Sequence, residues 1–142
     1  MKRIVVGIDG SQQGWAALAS AAQLARSTGA GLQIAHVSPA ATGPLDALDY
    51  QAAFASGNEA QENYAQGLLR EGAARVQDTG VEVSKVSRIG HPAEVLAELA
   101  APADVTMVVV GHRGRNAMAR LLIGSVADRL MQIAPKPVLI IR

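Results

Sequence analysis

The sequence has no cysteine, one tryptophan, two tyrosines and one phenylalanine in 142 residues, and a formal net charge of only +1. The missing thiol excludes disulfides, thiolate zinc sites and a cysteine nucleophile, and it fits a reducing compartment. With aromatics at 3% and so small a charge, the chain has few rings to stack on bases and no general attraction for nucleic acid or anionic lipid. Nucleic acid is therefore not expected as a partner. No apolar run approaches the length of a membrane span. The basic and then apolar start MKRIVVGIDG is broken at Asp9, too early for a signal peptide. The expectation is a soluble, cytoplasmic protein with no membrane association.

What is present is a globular composition, 49% apolar and 18% charged, which supports a packed core. The length suits one domain, read as 1–142. Ile4 to Ile8 reads as strand one, rich in β-branched residues and ended by the turn chemistry of Asp9, Gly10 and Ser11. Trp15, Leu18, Ala22 and Ala25 then recur at helical spacing, with Ser11 as N-cap and Gly29 as C-terminal cap. Leu32 to Val37 reads as strand two. The stretch 38–57, with Pro39, Pro44 and many small residues, is expected to be a flexible loop or lid.

Ala65, Leu68, Leu69, Ala73 and Val76 mark a second helix ending near Gly80, and 81–89 alternates as a strand close to a sheet edge. Pro92 opens a short third helix, with Val95, Leu96 and Leu99 turned inward. Val105 to Val110 is the most continuously apolar strand and should lie centrally. A helix from about Gly124 to Ala134 and a strand from Pro137 to Arg142 complete the chain. This alternation implies right-handed βαβ units in a mainly parallel α/β sheet with helices on both faces.

Ligands of such sheets bind beyond the carboxyl ends of the strands, where the winding reverses. The turns after strands one and four carry the richest loop chemistry, DGS and GHRG. The segment GHRGRNAMARLLIGS sets Gly111 and Gly114 three apart and, after nine residues, Gly124 beside Ser125. Glycine permits positive φ and close approach by peptide N–H groups, while Gly124 and Ser125 would add the open amides and dipole of a helix N-terminus. Arg113, Arg115 and Arg120 supply positive charge nearby. Together these features describe an anion cradle for which a polyphosphate is the natural ligand.

With GxxGx9G followed by Ser, VGIDGS at the start, HVSP after strand two, GHPAEVL at helix three and APKPVLIIR at the end, the chain resembles the universal stress protein family, specifically its ATP-binding branch. The resemblance covers essentially the whole sequence. It implies a Rossmann-like open five-stranded sheet in the order 3-2-1-4-5, a homodimer through the C-terminal strand, and ATP with Mg or Mn between strands one and four. Carried over by position, Gly7, Ile8 and Asp9 would line the adenosine, with Asp9 near the ribose and within reach of a nucleotide-bound metal. Val37 would meet adenine through its backbone. Gly111, His112, Arg113, Gly114, Arg115 and Asn116, together with Gly124, Ser125 and Val126, would hold the phosphates.

Blander roles stand beside these. Asp9 also suits a turn, Ser125 a cap, and the arginines a solvated surface. His36, His91 and His112 lie on or after different elements, without zinc spacing, so no metal site is assigned; His36 is expected to be packed. The chain lacks GxxxxGK[ST], a dinucleotide GxGxxG and a GxSxG elbow, so no catalytic residue is assigned and binding is favoured over turnover. Three functions stay open: an ATP-binding stress regulator acting on a protein partner the residues do not identify, a slow ATPase or phosphotransferase in the same cleft, and a nucleotide-free dimeric scaffold.

Overall fold

Along β1 (Arg3–Gly7) successive side chains enter different layers: Ile4 and Val6 join one buried cluster and Val5 the other. A strand's period of two does this only when both faces are covered. The computed structural model of the chain describes residues 1–39, 44–114 and 123–142, with the backbone alone over 44–58. After β1 the chain forms α1 (Gln12–Thr28), β2 (Gly31–Pro39), α2 (Pro44–Val76), β3 (Val83–Gly90), α3 (Pro92–Ala100), β4 (Val105–Gly111), α4 (Ser125–Ile133) and β5 (Val138–Ile141).

The five strands are all parallel, in the order β3-β2-β1-β4-β5, the Rossmann-like α/β arrangement expected. On one face Leu18 of α1 and Leu69 of α2 pack with Ile4, Val6 and Ile34. On the other, Leu96 of α3 and Leu130 of α4 pack with Val5, Ala35 and Val108. Burying each such Leu, Ile or Val side chain contributes about 1.5–3 kcal/mol. The alternating segment lies at an edge as β3, and the most apolar one lies inside the sheet as β4.

Local chemistry sets the helix ends. The Ser11 hydroxyl accepts from Gly14 N at 3.0 Å, capping α1, and Gly29, at φ 72°, closes it in the left-handed conformation. Arg75 of α2 lies over the Trp15 ring of α1 at 4.2 Å.

One expectation is corrected. The stretch 38–57 is not a continuous loop, because Ser38 and Pro39 belong to β2 and α2 starts at Pro44. Pro44 has its φ preset for a helix's first turn, and the residues after it include many alanines and no β-branched side chain before Val76. The two prolines bracket a junction at 40–43, which lies outside the described residues. No helix among the described residues is long and apolar enough to cross a membrane.

Candidate functional site

Beyond the carboxyl ends of β1 and β4 lies a cleft of about 670 Å³. Its position follows from the winding: β1 leads through α1 to β2 on one side, whereas β4 and β5 lie on the other. The crossovers therefore leave a crevice beside β1. Gly7, Ile8 and Asp9 line it from the first turn, Val37 from β2, and Gly111, His112, Arg113, Gly114, Gly124, Ser125 and Val126 from the glycine signature. Arg115, Asn116 and Arg120 lie outside the described residues.

The glycines serve close approach within the protein itself. A Cβ at Gly111 would sit 2.9 Å from the backbone of Gln13, and one at Gly114 would sit 2.8 Å from Asp9 Oδ2. At Gly124 it would meet Arg113 Cα at 3.1 Å and His112 O at 3.2 Å. Positive φ is found instead at Gly10, Gly29, Gly80 and Gly90, and Gly124 has φ −73°. Thus the two halves of the signature pack on each other, and Gly124 N donates to His112 O at 2.5 Å.

The two helix N-termini facing the cleft differ. At α1, Ser11 caps Gly14 N, while Asp9 Oδ1 accepts from the Ser11 amide at 2.9 Å and the Ser11 hydroxyl at 2.5 Å. At α4 the N-cap is Gly124, which has no side chain to offer. Ser125, Val126 and Ala127 of its first turn line the cleft, and no side chain among the described residues caps that turn, so the positive end of the helix dipole faces this space. Arg113, which lines the same cleft, donates its Nε to His112 Nε2 at 3.2 Å.

The cleft also has apolar lining, from Ala35, Val37, Leu96 and Val110. The Ile8 side chain is in the core and its amide bonds to Ala35 O. His36 is buried as expected, yet it also lines the cleft, its Nδ1 2.9 Å from Ile8 O and its ring edge-on to Tyr64. Gln61 and Tyr64 of α2 also line the cleft and were missed in the sequence. Their spacing from Ala65 and Leu68 on the same helical face was the available signal, hidden because the helix was read as starting too late.

A sequence profile described as the universal stress protein family matches residues 1–142. The chain belongs to the universal stress protein family. Universal stress protein YxiE of Bacillus subtilis (strain 168) is 30% identical over 145 residues, spanning 99% of this chain and 98% of its own. Among solved structures, universal stress protein UspA from Lactobacillus plantarum has a TM-score of 0.86 at 22% identity, over 99% of this chain and 97% of its own, a likeness of fold. A universal stress protein in complex with cAMP has a TM-score of 0.69 at 28% identity, over 99% and 96% of the two chains.

In this universal stress protein the only acidic side chain among the described residues lining the cleft is Asp9. No group of three or more His, Cys, Asp or Glu among the described residues forms a metal cage. Outside the cleft, Arg129 of α4 donates to Glu94 of α3 at 3.1 Å and holds that carboxyl below its ordinary value, helped by the Glu94 backbone.

Proposed function

We propose that this universal stress protein binds ATP, carried with Mg or Mn, and acts as a cytoplasmic, homodimeric, nucleotide-responsive regulator of a stress response. The observation that carries the reading is the uncapped N-terminus of α4, drawn against the loop after β4 by the Gly124–His112 hydrogen bond and bordered by Arg113. N–H donors, a helix dipole and a guanidinium suit phosphoryl oxygens. The apolar lining that includes Val37 suits a flat heterocycle, and the related protein solved with cAMP supports adenine.

The donor set fits a nucleotide better than a bare metal. With Asp9 the lone carboxylate among the described cleft residues, a divalent ion would enter on the phosphates, where it supplies charge neutralisation, and Asp9 would be its protein neighbour. Gly111, His112, Arg113 and Gly114 with Gly124, Ser125 and Val126 would hold phosphates, as would Arg115 and Asn116, while Gly7, Ile8, Asp9 and Val37 would hold the adenosine. Binding is favoured over turnover because Asp9 Oδ1 already accepts two hydrogen bonds from Ser11, the role of a turn-fixing group rather than a base.

Titration calorimetry of the full chain with Mg-ATP, combined with mass analysis of nucleotide retained by the purified protein, tests the reading. Saturable binding of one nucleotide per chain is expected. The absence of both binding heat and retained nucleotide would overturn it.

A further inference from the structure

The sheet register fixes where each peptide of β2 points. Gly31 N donates to Lys2 O at 2.8 Å and Ala35 O accepts from Ile8 N at 2.9 Å, so these residues turn their polar backbone groups toward β1. Leu32 N donates to Glu82 O at 2.8 Å, so the alternate residues turn toward β3. By the same period of two, Val37 turns its N–H and C=O to the β1 side. In an uninterrupted parallel ladder, the next acceptor for the Val37 N–H is the carbonyl of Ile8.

That carbonyl is engaged elsewhere. His36 Nδ1 lies 2.9 Å from Ile8 O, and because a carbonyl only accepts, Nδ1 carries the proton. His36 is 7% exposed and its ring is braced edge-on by Tyr64, with centroids 6.1 Å apart and planes at 74°. Among the described residues, the last backbone bond between the two strands is Ile8 N to Ala35 O. Val37 lies just past it and lines the cleft.

We infer that His36 is a positioning residue: by taking the Ile8 carbonyl it ends the β1–β2 ladder early and leaves the Val37 N–H and C=O for a ligand. A donor and an acceptor on one side of one residue match a planar heterocycle with an adjacent ring nitrogen and amino group, such as the amidine edge of adenine. The ladder termination is a property of the protein alone, whereas its use in recognising adenine rests on the nucleotide reading above. Specificity for the base therefore comes from a peptide kept unpaired by a neighbouring side chain.

Two substitutions separate the roles of His36. His36→Phe keeps a ring against Tyr64 but removes the donor, and His36→Asn keeps a short side-chain N–H for Ile8 O. The readouts are Val37 amide exchange by NMR on the full chain, and calorimetry with ATP and with inorganic tripolyphosphate. In the ligand-free wild type, Val37 exchanges faster than Ala35 and is protected by ATP. In His36→Phe it is protected without ligand, ATP binds about tenfold more weakly, as expected for one neutral hydrogen bond, and tripolyphosphate binding is unchanged. His36→Asn restores wild-type behaviour in both measurements.

A Val37 amide as protected as Ala35 in the ligand-free wild type overturns the inference, as does undiminished ATP affinity in folded His36→Phe. Should His36→Phe fail to fold, Val37 exchange in the wild type and in His36→Asn decides the matter. A wild type that binds no ATP removes the nucleotide reading, while fast Val37 exchange in that same protein still supports ladder termination by His36.

Discussion

The amide of Gly124 donates to the carbonyl of His112 at 2.5 Å, so the beginning and end of the glycine signature are bonded to one another. The contact explains a glycine that positive φ does not, since Gly124 has φ −73° and its missing Cβ would press on Arg113 Cα and His112 O. The signature is first a packing device, and its packing is what delivers the open end of α4 to the cleft.

A methyl group at Gly124 should therefore damage stability and binding together. Gly124→Ala is expected to cost about 1–3 kcal/mol, the usual range for overpacking, and to weaken ATP binding as α4 moves away from the loop after β4. Urea unfolding and calorimetry on the same preparation check this. The steric argument fails if the substituted chain retains wild-type stability. A larger side chain here would strain the fold as well as fill the space beside the α4 N-terminus.

Asp9 and Gly114 form a second tight pair, with Asp9 Oδ2 2.8 Å from where a Gly114 Cβ would lie. Gly114→Ala should destabilise the wild type, and the cost should fall by at least about 0.5 kcal/mol in an Asp9→Ala background, where the obstructing carboxylate is gone. A double-mutant cycle in denaturant measures the difference. Strict additivity would show that the two turns do not bear on each other.

Much of the fold was legible because the residues repeat simple rules. The β-branched runs at Ile4–Ile8 and Val105–Val110, Ser11 before α1, and Gly29 and Gly80 after helices each have a local cause that tertiary structure preserved. At 38–57 the prolines mislead, because Pro39 ends a strand and Pro44 opens a helix, a position proline suits as well as a loop. For the site, spacing singled out Gly111, Gly114, Gly124 and Ser125, which line one cleft. It could not reveal that Gly114 faces Asp9, that His36 reaches Ile8, or that Tyr64 stands beside His36, because each is a contact between elements distant in sequence.

The Glu94–Arg129 pair joins α3 to α4 with both side chains about half exposed. Its hydrogen bond depresses the folded carboxyl relative to the unfolded one. The contribution is thus complete above the unfolded value of 4.5 and is lost as pH falls through the lower folded value. NMR titration should place the Glu94 midpoint below 4.5 in the wild type and move it back toward 4.5 in Arg129→Gln. Equal midpoints in the two proteins would show that the contact does not persist in solution. Solvent screening keeps the accompanying stability change small.

The proposed dimer can be tested at β5, which pairs with β4 on one side and with no other strand among the described residues. Such an edge, carrying VLII with Leu139 36% exposed, offers unpaired backbone groups and apolar side chains to a second copy. Leu139→Lys puts a charge on that edge without removing a fully buried side chain, so the monomer fold should survive. Sedimentation at micromolar concentration should give a dimer for the wild type and a monomer for the variant, with near-wild-type circular dichroism in both. If the lysine variant still dimerises, the interface lies away from β5. If the wild type is itself monomeric, the homodimer is lost while the proposed nucleotide site, in a cleft formed within one chain, stands on its own test.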